Sequence, residues 1–224
     1  MYLVYYCPIG TNSKEVTAVT ADENIRKDGT SEEKQESWQK SVLLYLHDLV
    51  YMLAAIMLIF LLLFRMVIVS GSSMYDTLWD GDWLLLISNV FYQDPEYGDI
   101  IVASKDSFNG GEAIVKRVIA TEGQIVDIDF AAGTVYVDGE ALDEPYAYTP
   151  TNIPEGMAFP LLVENNCVFA LGDNRNESKD SRHPDIGLID KREILGKAIF
   201  LIIPGLGEGG NAAPRDFDRI GVIN

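Results

Sequence analysis

Three separate stretches of this 224-residue chain carry side chains able to do chemistry. The first is Ser70-Gly71-Ser72-Ser73-Met74. Gly71 permits a tight or left-handed turn and close approach by another chain, and the serines present hydroxyls directly after a long apolar run. The second is Lys116, inside the β-branched stretch Ala113 to Ala120. On a strand, Ile114, Lys116, Val118 and Ala120 share one face, and Ala113, Val115, Arg117 and Ile119 share the other. An amine among aliphatic neighbours is desolvated, which lowers its pKa and makes the neutral form available as a base. The third is Gly172 to Arg182, GDNRNESKDSR. Its Asp173, Arg175, Asp180 and Arg182 can cross-link a loop by charge-assisted bonds, so that a hydroxyl such as that of Ser178 is fixed against a catalytic amine. Taken singly, each has a plainer reading: a Ser/Gly linker, a strand-end lysine reaching water, a solvated turn.

The rest of the chain must position these groups. Leu49 to Phe64 is apolar and uncharged, and adding Met66 to Val69 extends it to the roughly 20 residues that a helix needs to cross hydrocarbon. Arg65 falls near its end, where it can snorkel to the headgroups, and His47 and Asp48 mark the other end. The expected organisation is a polar mobile tail over 1–40, a transmembrane anchor over 41–69 and a β-rich domain over 70–224. In the tail, Ser31 is a cap candidate for a short helix starting at Glu32 to Glu36. The apolar Met1 to Gly10 lacks a basic n-region and has no functional account. Arg26, Lys27, Lys34 and Lys40 precede the span and Arg65 alone follows closely, which places the tail inside and the domain outside. Beyond Met74 the pattern is one of short strands and turns. Strands are expected at Trp83 to Ile87, Ile100 to Ala103, Ala113 to Ala120, Gln124 to Phe130, Thr134 to Val137, Cys167 to Leu171 and Ala198 to Ile203. This predicts a mainly β fold, a partly open barrel or sandwich after a single N-terminal transmembrane helix.

Composition excludes some classes. A formal charge of −17 and a pI near 4.3 argue against nucleic acid, whose phosphates need Lys and Arg. Cys7 and Cys167 lie on opposite sides of the span, so no disulfide is expected, and neither has a zinc-ligand spacing. His47 and His183 are isolated, and no metal or other cofactor is expected.

Four boxes, in order, resemble those of the bacterial type I signal peptidases, which cut signal peptides from exported proteins. The pattern Ser-Met-x-Pro-Thr-Leu stands here as Ser73-Met74-Tyr75-Asp76-Thr77-Leu78. Gly98-Asp99-Ile100-Ile101-Val102 follows, then Val115-Lys116-Arg117-Val118-Ile119 with Glu122-Gly123, and finally the whole of Gly172 to Arg182. The resemblance runs from the anchor to about Pro204. It implies a serine endopeptidase of the plasma membrane with Ser73 as nucleophile, Lys116 as general base and Ser178 orienting the amine. It implies the Ser73 N–H as first oxyanion donor. The family's second donor sits at the position of Gly71, which has no hydroxyl, so a backbone N–H, Ser70 or Ser72 must substitute. The substrate is expected to add a strand to an open edge, with Met74, Leu78, Ile114 and Val115 lining the pocket for the small residue of an Ala-x-Ala-like site. The expected partners are signal peptides of secretory preproteins and membrane lipid.

Asp76 departs from the family proline, and its charge lies near the developing oxyanion. The rival mechanism is a Ser-His-Asp triad using His183 with Asp180 or Asp185. The rival function is a tethered β domain, impaired by Asp76 and Gly71, that binds signal peptides or a partner without cutting. A self-cleaving Ser/Lys repressor is a third reading, opposed by the span and by the lack of a DNA-binding helix pair.

Overall fold

The computed structural model describes residues 19–108, 110–206 and 215–223, with side chains from Trp38 onward. Two compact units divide at Met57 and Leu58. In the first, every described residue belongs to one helix, α1 (Val19–Leu63), whose last turns run into the second unit. Its stretch Trp38–Leu63, 26 residues with none buried, is long and apolar enough to cross a membrane. A helix satisfies every backbone group internally, which hydrocarbon demands.

Two boundaries differ from the sequence expectation. The backbone over residues 19–40, expected as a mobile tail, is helical, and the helix begins before Ser31 rather than at it. Met1 to Gly10 lies outside the described residues. The helix also stops at Leu63 instead of continuing to Val69. Phe64–Ile68 forms strand β1, and Arg65 stands opposite Leu86 in a ladder instead of snorkelling from a helix end. The physical reason is the cluster of Val67, Ile68 and Val69, whose branched side chains favour extended backbone once a partner strand supplies hydrogen bonds.

That partner is β2 (Trp83–Ser88), in which buried and half-buried residues alternate, the period-two signature of a sheet with one face inward. The chain continues through β3 (Ile100–Ser104), β4 (Ala113–Thr121), β5 (Ile125–Asp129), β6 (Thr134–Val137), β7 (Glu140–Ala141) and β8 (Leu161–Leu162). It ends with β9 (Cys167–Leu171), β10 (Ile189–Asp190), β11 (Ile194–Ile203) and β12 (Gly221–Val222). The larger sheet runs β1-β2-β11-β3-β4-β9-β10, with β12 on β11, and the smaller runs β7-β6-β5-β8. Every pairing is antiparallel and neither sheet closes on itself, so the fold is mainly β and open. The Asp138-Gly139 turn has positive φ at both residues, 53° and 84°, as a two-residue hairpin between right-twisted strands requires.

Three apolar clusters fill the interior. One packs Val69, Met74 and Leu78 against Leu84, Leu86 and Val102. Another lies under β3, β4 and β9, around Ile101, Val118 and Ala170, and the third joins the smaller sheet to β4 and β9 through Ile119, Val126 and Phe169. β4 thus touches all three clusters, through Val115, through Ile114 and Val118, and through Ile119, and carries Lys116 among them, while the loops after β1 and after β9 converge on it.

Candidate active site

The loop after β1 is pinched at its base. Val69 N donates to Asp82 O at 2.8 Å and Gly81 N to Val69 O at 2.9 Å. Gly71 has φ of +91°, a conformation that side-chain-bearing residues rarely hold, and its N–H donates to Asp80 Oδ1 at 2.8 Å. A helical turn follows, with Leu78 N donating to Met74 O. Ser73 is held from behind, because Asn174 donates its N–H to Ser73 O at 3.0 Å and its side-chain amide to Ser72 O at 3.2 Å. In front, Lys116 Nζ lies 2.8 Å from Ser73 Oγ. The ammonium donates in this bond; in the neutral form the hydroxyl donates to the amine.

Lys116 is 3% exposed, and its other contact is the Val115 carbonyl at 2.9 Å. Burial pushes its pKa down from 10.5 to about 8, against the pull of the Asp180, Glu155 and Asp173 carboxylates, which favour the cation. No carboxylate bonds the amine directly. That distinguishes it from an ion-paired structural lysine and leaves it able to accept a proton near neutral pH.

The charges of the Gly172–Arg182 loop form largely buried pairs, but of these only Asp180–Arg182 lies within the loop; Asp173 and Arg175 pair with Arg117 and Glu144 outside it. Asp173 takes two bonds from Arg117, at 2.9 and 2.8 Å, and one from the Thr77 hydroxyl at 2.6 Å. Arg175 donates to Gly172 O, to both oxygens of Glu144 and to Thr151 Oγ1. Asp180 receives Arg182 at both oxygens and also Gly172 N, and Arg182 binds the carbonyls of Ile153, Arg175 and Ser178. Bidentate, desolvated pairs of this kind set geometry as well as charge. Gly172 is required at the start of the loop, directly after β9. A Cβ there would lie 2.2 Å from Ser178 Oγ and 2.4 Å from Ser73 O.

One expectation is corrected. Ser178 Oγ does not bond the Lys116 amine; it is buried and has no hydrogen-bond partner among the described residues. Its place is beside Gly172, where the loop closes on the Ser73 carbonyl. The Ser73 N–H bonds nothing among the described residues, whereas the Gly71 N–H is engaged by Asp80. Ser70 and Ser72 are exposed and line the cleft with Ser73. Asp76 is exposed and receives the Trp79 indole N–H at its carbonyl and at Oδ1.

The cleft has a volume of about 390 Å³. Val67 to Ser73 form one wall and Ala113 to Lys116 the other, with Val102 and Phe108 beneath. Ile114 and Val115 line it as expected. Met74 and Leu78 do not; each is 1% exposed in the core cluster, because the helical turn after Ser73 points both inward. Strand β4 pairs with β3 from Ala113 onward, but β9 joins its other side only from Arg117. Ala113 to Lys116 therefore present a bare edge to the cleft.

The triad alternative has no geometric support. His183 Nδ1 accepts the Asp185 N–H at 3.1 Å, Asp180 is engaged by Arg182, and the contact of the Ser73 hydroxyl is Lys116. Arg117, Thr77, Asn174, Glu144 and Glu155 escaped the sequence reading as site residues. Arg117, Asn174 and Thr77 had a signal, since each adjoins a residue already singled out; Glu144 and Glu155 had none.

An open antiparallel β domain that holds a serine hydroxyl on a buried amine, beside an unpaired strand edge, has the features of a serine peptidase. The family described as "Signal peptidase, peptidase S26" matches residues 42–203, and the chain belongs to that family. Its relatives include the signal peptidase I of Bacillus licheniformis, 31% identical over 182 residues, covering 78% of this chain and 95% of that one. The probable signal peptidase I-1 of Synechocystis is 36% identical over 146 residues, covering 61% of this chain and 69% of that one. The signal peptidase I S of Bacillus subtilis is 30% identical over 177 residues, covering 75% and 92%. The chain is thus a signal-peptide-removing serine peptidase that acts on signal-bearing preproteins, and its apolar helix accords with anchoring in a membrane.

Proposed function

We propose that Ser73 is the nucleophile and Lys116 the general base of this peptidase. The carrying observation is the 2.8 Å approach of Ser73 Oγ to an amine that is 3% exposed. Neutral Lys116 takes the hydroxyl proton as Ser73 Oγ bonds to the scissile carbonyl carbon, and the carbonyl electrons move to oxygen. The Ser73 N–H, free of other acceptors among the described residues, stabilises that oxyanion; a donor of this kind is worth about 2.7–4 kcal/mol of barrier. Collapse breaks the C–N bond as Lys116 passes its proton to the leaving amine. Lys116 then deprotonates water, which attacks the acyl-Ser73 ester and releases the signal-peptide carboxylate.

The bare edge of Ala113 to Lys116 suits an extended substrate added as a strand. Ile114 and Val115, with Val67, Val69 and Val102, give a small apolar pocket that suits the short side chains of an Ala-x-Ala site. Asp173, Arg175, Asp180, Arg182 and Ser178 hold the loop behind Ser73. The N-terminus lies on the cytoplasmic side and the catalytic domain outside, on the strength of the Lys and Arg that precede the span. The test is purified full-length protein in detergent with a fluorogenic peptide ending in Ala-x-Ala, beside Ser73→Ala. Cleavage after the second Ala, absent in the variant, is expected. Binding without product would favour the non-cutting domain, and cleavage by Ser73→Ala would reject this nucleophile.

A further inference from the structure

The segment 215–223 lies beyond the family match, which ends at residue 203, yet it reaches the loop that bears Ser73. Strand β12 ties it to β11 at Phe200 and Leu201, and Arg215 donates to Pro204 O at 2.9 Å. Between these anchors, Arg219 makes three kinds of contact. Its guanidinium donates to both oxygens of Asp82, at 3.0 and 2.8 Å. It donates to Thr77 O at 3.1 Å, and its central carbon sits 3.9 Å from the centre of the Trp79 ring. Asp82 is fully buried and also accepts the N–H groups of Trp79 and Gly205.

We propose that Arg219 is a positioning residue for the reaction, fixing the far side of the nucleophile loop so that Ser73 meets Lys116. This rests on the reading of Ser73 as nucleophile. The loop has two grips. Asn174 holds Ser72 and Ser73 on the near side, and Arg219 holds Thr77, Trp79 and Asp82 on the far side. The far grip connects to the base through two side-chain bonds and the backbone of Thr77 and β4. Thr77 Oγ1 donates to Asp173, Asp173 pairs with Arg117, and Arg117 adjoins Lys116 on β4. A guanidinium alone combines the fork to a carboxylate, a bond to a carbonyl and stacking on an indole; a lysine ammonium offers one point charge.

The experiment uses the full chain in detergent with the Ala-x-Ala peptide, comparing Arg219→Lys, Arg219→Gln, Thr77→Val and the Arg219→Gln/Thr77→Val pair. Thermal melts are recorded alongside. Both Arg219 variants are expected to melt cooperatively and to lose about 10- to 100-fold in kcat, the scale of a 1 Å misplacement, with KM changed less than about twofold. The pair is expected to lose less than the product of its single losses, because both changes act on one chain of contacts. Unchanged kcat, a rise in KM alone, fully multiplicative losses, or loss of the cooperative melt in both Arg219 variants would each overturn the proposal. Ser73→Ala separates the two claims. If it still cleaves, the nucleophile reading fails. If it is silent while the Arg219 variants keep full kcat, only this inference fails.

Discussion

The rate of cleavage should follow the deprotonation of one buried amine. With an ordinary lysine value of 10.5, about one molecule in 3,000 would carry a neutral amine at pH 7; with the depressed value of about 8, roughly one in eleven does. Burial thus supplies close to 300-fold more active base at neutral pH, equivalent to about 3 kcal/mol. Initial rates with the fluorogenic peptide, taken from pH 6 to 9.5 at fixed ionic strength, report the free enzyme through kcat/KM. The expected profile rises about tenfold per pH unit at the acid end, is half-maximal near pH 8 and flattens above it. Glu155→Gln supplies the perturbation. The Glu155 carboxylate is one of the charges that stabilise the Lys116 cation, so its removal makes the proton easier to lose and must move the acid limb to lower pH. The amide can still accept the Asp180 N–H that Glu155 now receives. An acid limb centred near the ordinary lysine value, or one that moves to higher pH in Glu155→Gln, would refute the reasoning.

Other expectations follow from named contacts. Lys116→Ala should abolish cleavage of a signal-bearing precursor while His183→Ala retains most of it, and the opposite pattern would restore the triad. Gly172→Ala should lower stability by about 1–3 kcal/mol through overpacking and cut kcat, because the new methyl meets Ser178 and the Ser73 carbonyl; unaltered kinetics would contradict the crowding. Arg117→Met leaves Asp173 buried without its cation and should cost about 3–5 kcal/mol by chemical denaturation. Adding Asp173→Asn should recover part of that loss, since the orphaned charge goes with it.

The parts of the site that were legible in the sequence are those written locally. Ser73 and Met74 after an apolar run, Lys116 in a β-branched strand and the alternating charges of Gly172 to Arg182 each show in a short window. The partners across the fold do not. Glu144 is 31 residues from Arg175, and Thr77 is 96 from Asp173, so nothing in either window names the other. The end of the helix was hidden for a different reason. Apart from Arg65, Phe64 to Val69 is as apolar as the turns before it, and pairing with β2 makes Phe64 to Ile68 a strand. The family resemblance puts Met74 and Leu78 in the pocket, and both lie within five residues of Ser73. A helical turn at that point sends them to the core and leaves the cleft to Val67, Val69 and Val102. Ser178 follows the same lesson: its box is intact, but its hydroxyl, buried beside Gly172, makes no hydrogen bond to the amine.

In the proposed docking, the unpaired rim of β4 would make the enzyme selective in a way that its pocket alone does not. To lie along Ala113 to Lys116, a polypeptide must bring several consecutive backbone amides with no pairing obligations of their own. A passenger domain that has already folded has paired most of its amides internally and offers few such runs. On that docking, scission would fall on slack, stretched-out chain, and a compact cargo would be spared even where its surface displays two alanines at the right interval.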